Sequence, residues 1–169
     1  MENKKIEVYF GDGRGKTSAA IGNAIQKAGK GKSVIMIQFL KEKEGAVNEF
    51  IRRLEPEMKV FRFQKSERFF DDLSKQQQAD EIANILNGVN YAKKVLSTEE
   101  CNILILDEVL ALVDRNIISI KELIDILERV DEDVEMILTG RNFRKELLPY
   151  VNVVYEIAQK YPSENESYT

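Results

Sequence analysis

An α/β fold around a mostly parallel central sheet is predicted by three observations. Short β-branched runs alternate with helix-length amphipathic segments, the pattern of successive α/β units. The run Ser33-Val34-Ile35-Met36-Ile37-Gln38-Phe39-Leu40 is almost unbroken in apolar character, as a strand covered on both faces requires. The first run, Lys5–Phe10, passes into a glycine-rich turn and then a helix-length segment.

The elements follow in order. After the strand at 5–10, residues 16–30 read as a helix carrying Ala19, Ala20, Ala24 and Ala28, ended by Gly29 and Gly31. A strand over 33–40, a short helix over 46–54 and a strand over 58–64 come next. Residues 65–78 are polar and irregular apart from Phe69-Phe70. Ile82, Ile85, Leu86, Val89, Ala92 and Leu96 then share one face of a helix over 80–97. A strand over 102–106 ends in Asp107-Glu108. A helix is marked by Ile120, Leu123, Ile124, Leu127 and Val130, and strands at 134–138 and 151–157 close the set. No repeat or linker divides the chain, so 1–158 is expected to form one domain and 159–169 a polar tail that frays.

Composition removes several function classes. At 169 residues the chain is the size of one domain, and 43% hydrophobic with 32% charged residues is ordinary for a globular protein. A net charge of -4 argues against a protein that coats nucleic acid. No run approaches the roughly 18 apolar residues that span a bilayer, and no signal peptide is visible, so a cytoplasmic protein without membrane partners is expected. There is one cysteine, Cys101, expected to be a half-buried structural thiol, and no histidine. Cysteine clusters, imidazole metal sites and histidine-dependent triads are therefore all unavailable.

The strongest motif is Gly11-Asp12-Gly13-Arg14-Gly15-Lys16-Thr17 between the first strand and its helix, a P-loop arrangement. Its glycines permit positive φ and close approach to phosphate oxygens. Successive amides and the helix N-terminus supply donors and partial positive charge. Lys16 then neutralises phosphate, Thr17 ligates Mg²⁺, and Arg14 adds a second cation. The usual spacing would put a glycine where Phe10 stands, so this is a short variant. Ile103-Leu104-Ile105-Leu106-Asp107-Glu108 provides the other half: an apolar strand delivering carboxylates to its C-terminal edge, where such sites hold Mg²⁺. The pair of motifs predicts a three-layer P-loop NTPase-like (RecA-like) fold that binds Mg²⁺-nucleotide.

The wording of four segments points further. Gly11 to Gly22 reads G-D-G-R-G-K-T-S-A-A-I-G, Ile37 to Lys41 reads I-Q-F-L-K, Ile105 to Val113 reads I-L-D-E-V-L-A-L-V, and Leu138 to Arg141 reads L-T-G-R. In order and spacing they resemble the P-loop-type ATP:corrinoid adenosyltransferases, including the short glycine loop. The resemblance implies transfer of the 5′-deoxyadenosyl group of ATP to cobalt of a cob(I)alamin-type corrinoid, with release of triphosphate. It implies that Gly11, Asp12, Gly13, Arg14, Gly15, Lys16, Thr17, Ser18 and Arg141 bind ATP. Thr17, Asp107 and Glu108 would serve the metal, with Lys16, Thr17 and Glu108 as the catalytic set. Phe69 and Phe70 would face the corrinoid and help remove the lower axial ligand of cobalt. A homodimer and an electron-donor protein are implied as well. Arg141 fits a phosphate contact and a structural ion pair equally well. Departures from the family pattern are Gln26 where an arginine is common, Glu42 after Lys41 where a glycine is common, and a polar C-terminal tail where the family's is basic and glycine-containing. A small P-loop kinase or NTPase, and a catalytically silent ATP-binding regulatory module, are the alternative readings.

Overall fold

The computed structural model describes residues 4–41 and 46–161. Six strands form one sheet: β1 (Lys5–Phe10), β2 (Val34–Gln38), β3 (Met58–Arg62), β4 (Ile103–Asp107), β5 (Glu135–Gly140) and β6 (Val153–Glu156). Their spatial order is β3-β2-β4-β5-β1-β6, and every neighbouring pair is parallel. The helices are α1 (Lys16–Ala28), α2 (Ala46–Arg52), α3 (Lys75–Thr98), α4 (Val109–Asp114) and α5 (Ile120–Glu128).

Three layers follow from the two-residue alternation of the central strands. On β4, Ile103 and Ile105 face the side where α1 and α2 pack through Ala20, Ala24 and Ile51. Leu104 and Leu106 face the other side, against Ile85, Val89 and Ala92 of α3 and Leu123, Ile126 and Leu127 of α5. Both faces being covered explains why β2, β4 and β5 are buried throughout. The edge strand β6 is short and largely exposed.

Several boundaries differ from the sequence reading. Helix α3 begins at Lys75 rather than near residue 80, because Ser74 and Gln77 form a reciprocal capping box that starts it ahead of its apolar face. Helix α4 was not expected: Val109 to Val113 are all buried, so six residues carry no amphipathic period. β5 extends to Gly140, and the last strand is trimmed to Val153–Glu156. Cys101 is fully rather than half buried, 4% exposed, and burial pushes its thiol up to about 12. Glu42 and residues 162–169 of the tail lie outside the described residues.

β5 is inserted between β1 and β4, which is the RecA-like arrangement. The chain leaves β1, β2, β4 and β5 at one carboxyl edge, where parallel α/β sheets place their sites.

Candidate active site

The phosphate loop is held by Ile157, directly after β6, and by the end of β5 at Gly140-Arg141. Gly11 has φ 128° and Gly15 φ 106°, both in the region that excludes most side chains. Gly13 is required for a different reason. Its N–H donates to the Ile157 carbonyl at 2.9 Å, and a Cβ there would lie 2.7 Å from the same oxygen. Gly15 caps α1 without a side-chain partner, so the first N–H groups of the helix are directed at the loop. Lys16 is buried, and its ammonium donates to the carbonyls of Gly11 at 2.8 Å and Gly13 at 2.9 Å. Asp12, Arg14 and Ser18 are exposed around it.

Asp107 is the centre of the second half, with no exposed surface. Its Oδ1 accepts from Thr17 Oγ1 at 2.8 Å and from Thr139 Oγ1 at 2.7 Å. Thr139 in turn accepts the Glu108 N–H at 2.8 Å. Asp107 Oδ2 is buried without a hydrogen bond; Lys41 Nζ stands 3.5 Å away. A hydroxyl beside an unsatisfied carboxylate oxygen is a hard-oxygen donor set of the type Mg²⁺ takes, with further positions filled by phosphate and water. Among the described residues no cluster of three or more His, Cys, Asp or Glu could hold a metal by itself. The sequence reading gave Glu108 the leading place, but the carboxylate in contact with Thr17 is that of Asp107.

Glu108 instead opens α4 with φ 61° and lines a cleft of about 580 Å³ with Leu40, Lys41, Phe69, Asp71, Ala111, Arg115 and Arg141. The two adjacent phenylalanines part company here. Phe69 is 55% exposed at the cleft, whereas Phe70 is 8% exposed and packs in the core. Both rings were expected on the corrinoid side; only Phe69 reaches the cleft, because Phe70 is buried at the start of the 3-10 turn Phe70–Asp72. Arg141 is exposed in the cleft, and no ion pair to it is formed among the described residues. Arg115 donates to Asp71 at 3.2 and 2.9 Å and holds its carboxyl below the usual range.

Three positioning residues escaped the sequence reading. Thr139 is a hydroxyl directly after the aliphatic run Met136-Ile137-Leu138 of β5, a visible signal. Glu81 lies in helical register with Ile85, Val89 and Ala92, yet is charged and buried. Its carboxylate accepts the N–H groups of Lys65 and Ser66, which fixes the loop leading to Phe69. Arg62 donates to the Lys41 carbonyl at 3.0 and 2.6 Å and to the Ser66 carbonyl at 2.7 Å, tying the two cleft walls together. Gln26 is exposed on α1, and Lys27 is committed to Glu135 at the opposite end of the sheet from the loop.

The family model described as "ATP:corrinoid adenosyltransferase BtuR/CobO/CobP" matches residues 2–166. The chain belongs to this family. It is 28% identical over 154 residues to the Corrinoid adenosyltransferase of Escherichia coli K12, covering 90% of this chain and 75% of that protein. It is 29% identical over 154 residues to the Corrinoid adenosyltransferase CobA of Salmonella typhimurium, with the same coverage. An uncharacterized protein of Nostoc, all2391, is 30% identical over 146 residues, which are 80% of this chain and 38% of that one. Membership makes this corrinoid adenosyltransferase-family chain a transferase, with ATP and a corrinoid as the substrate pair. No helix among its described residues is long and apolar enough to cross a membrane.

Proposed function

We propose that the chain transfers the 5′-deoxyadenosyl group of ATP to the cobalt of a reduced, cob(I)alamin-type corrinoid and releases triphosphate. The observation that carries this reading is the placement of Asp107 and Glu108. As consecutive residues at the end of β4 they belong to the phosphate side and the acceptor cleft respectively.

The chemistry asks little of the protein beyond positioning and charge. A lone pair on Co(I) attacks C5′, the C5′–O bond breaks, and its electron pair leaves on the triphosphate. The nucleophile has no proton to lose, so a chain without histidine lacks nothing for this step. Lys16 and the first amides of α1 after the Gly15 cap hold the leaving group, stabilising charge as it grows on the departing oxygen. Thr17 and Asp107 would hold Mg²⁺, which supplies further positive charge against the triphosphate. Arg14 and Arg141 add cations at the loop and the cleft. Phe69 offers an apolar ring where the corrinoid face would lie, excluding water from the cobalt. One buried cysteine forms no intrachain dithiol couple, so we assign cobalt reduction to a separate electron donor.

The test is anaerobic incubation with ATP, Mg²⁺ and chemically reduced cobalamin, followed by product analysis. A light-sensitive cobalt–carbon product with an equal amount of triphosphate is expected. Release of ADP and inorganic phosphate in its place, or bound ATP with no product, sinks the proposal.

A further inference from the structure

Lys41 occupies a position that the adenosyl-transfer reading leaves unexplained. It leaves the carboxyl end of β2, and its Nζ stands 3.5 Å from both Asp107 Oδ2 and Thr17 Oγ1. These are the two oxygens best placed to ligate a divalent cation. Its side chain also lines both the 580 Å³ cleft and a smaller cavity of about 200 Å³ bordered by Thr17, Ser18, Gln38 and Asn48.

We propose that Lys41 is a resident counter-cation, which fills the divalent-cation position until nucleotide arrives and thereby makes metal and nucleotide bind as a pair. The inference rests on the metal site of the proposed function.

The argument is electrostatic. Asp107 has no exposed surface, and an unaccompanied carboxylate there is costly. Lys41 supplies the compensating charge at a separation too long for a good hydrogen bond, so the pair is weak enough to part. With its Nζ 3.5 Å from both Asp107 Oδ2 and Thr17 Oγ1, the ammonium stands in the space a divalent cation bound to both oxygens would fill, and metal alone must therefore displace Lys41 without offering it a new partner. A triphosphate offers that partner, because it brings anionic oxygens to the loop beside Thr17. Each ligand then lowers the cost of binding the other, and the coupling is reciprocal. The anatomy suits such a movement. The Lys41 carbonyl is clamped by Arg62, while the side chain is one-third exposed and has open space on two sides.

The test uses Mn²⁺ as the probe, followed by electron paramagnetic resonance, with and without a non-hydrolysable ATP analogue, in wild type, Lys41→Met and Lys41→Gln. In the absence of nucleotide both neutral variants should bind Mn²⁺ on the order of 5-fold more tightly than wild type, the scale of a partly exposed ion pair. The gain in Mn²⁺ affinity caused by nucleotide should be largest in wild type. Unchanged or weaker Mn²⁺ binding by whichever variant is folded overturns the place-holder role while the metal site stands. No Mn²⁺ binding by wild type even with nucleotide overturns the metal site itself, and this inference with it.

Discussion

Thr139 and Asp107, 32 residues apart in sequence and side by side at the ends of β5 and β4, are joined by a buried 2.7 Å hydrogen bond. The same Thr139 hydroxyl oxygen accepts the Glu108 N–H, so one side chain sets both the carboxylate of the phosphate side and the start of the cleft wall. Thr139→Val keeps the shape but leaves the half-buried Glu108 N–H unpaired and removes a donor from the buried Asp107. The expected loss is about 1–3 kcal/mol of stability in urea unfolding. Nucleotide affinity should weaken with it. Thr139→Ser, which restores the hydroxyl, should recover most of both; a valine variant as stable as wild type would contradict this account.

The sequence made the chemistry legible where one residue type has one job. Gly15, Lys16 and Thr17 stand where the motif puts them, and the order of strand, loop and helix leaves little alternative. What it hid are contacts between segments distant in sequence. Nothing in Phe69-Phe70 as a dipeptide says which ring turns inward; the turn that follows decides it. Arg62 sits in an ordinary strand, and its bonds to Lys41 and Ser66 exist only once β2 and β3 pair. Helix α4 was invisible because complete burial erases the periodicity by which helices are read. Gly13 was read as a glycine for phosphate approach, whereas its most crowded neighbour is the Ile157 carbonyl.

That contact separates two glycines that look alike in sequence. A Cβ at Gly13 meets Ile157 O at 2.7 Å and the Ala158 Cα at 3.0 Å, all backbone that cannot rotate away. At Gly22, inside α1, nothing lies within 4 Å of it. Gly13→Ala should therefore push the end of β6 from the loop, lowering both stability and nucleotide affinity. Gly22→Ala should raise stability by about 0.5–1 kcal/mol, the helix-interior difference between the two residues. Thermal unfolding of the pair, with nucleotide titration, checks the opposite signs.

Phe69 and Phe70 give a second such contrast. Phe70→Ala empties a core position and is expected to cost about 3 kcal/mol or more in denaturant unfolding. Phe69→Ala removes an exposed ring and should leave stability within about 0.5 kcal/mol of wild type. If the cleft receives the corrinoid, Phe69→Ala should impair corrinoid turnover while leaving ATP binding intact. Calorimetric ATP titration beside the adenosylation assay distinguishes that selective loss from a general one.

Glu135 carries the clearest acid dependence, at the end of the sheet away from the site. Burial alone pushes its carboxyl up, but hydrogen bonds and charge from Lys27 and Lys32 prevail and bring it from 4.5 down to about 2. Lys5 stands 3.5 Å away as a third, more exposed partner. A depressed carboxylate stabilises the fold fully above its unfolded value, and that stability is lost as pH falls through the folded one. The contribution should thus be complete at neutral pH and disappear between about pH 4.5 and about pH 2. Glu135→Gln leaves three lysines converging on a neutral amide, and a loss of about 2 kcal/mol is expected at neutral pH, between the values of exposed and buried pairs. Below about pH 2 the two proteins should converge, since the wild-type carboxyl is then also neutral. Urea unfolding of both across this range checks the sign: a gap that widens on acidification would show that the lysines do not stabilise the charged form.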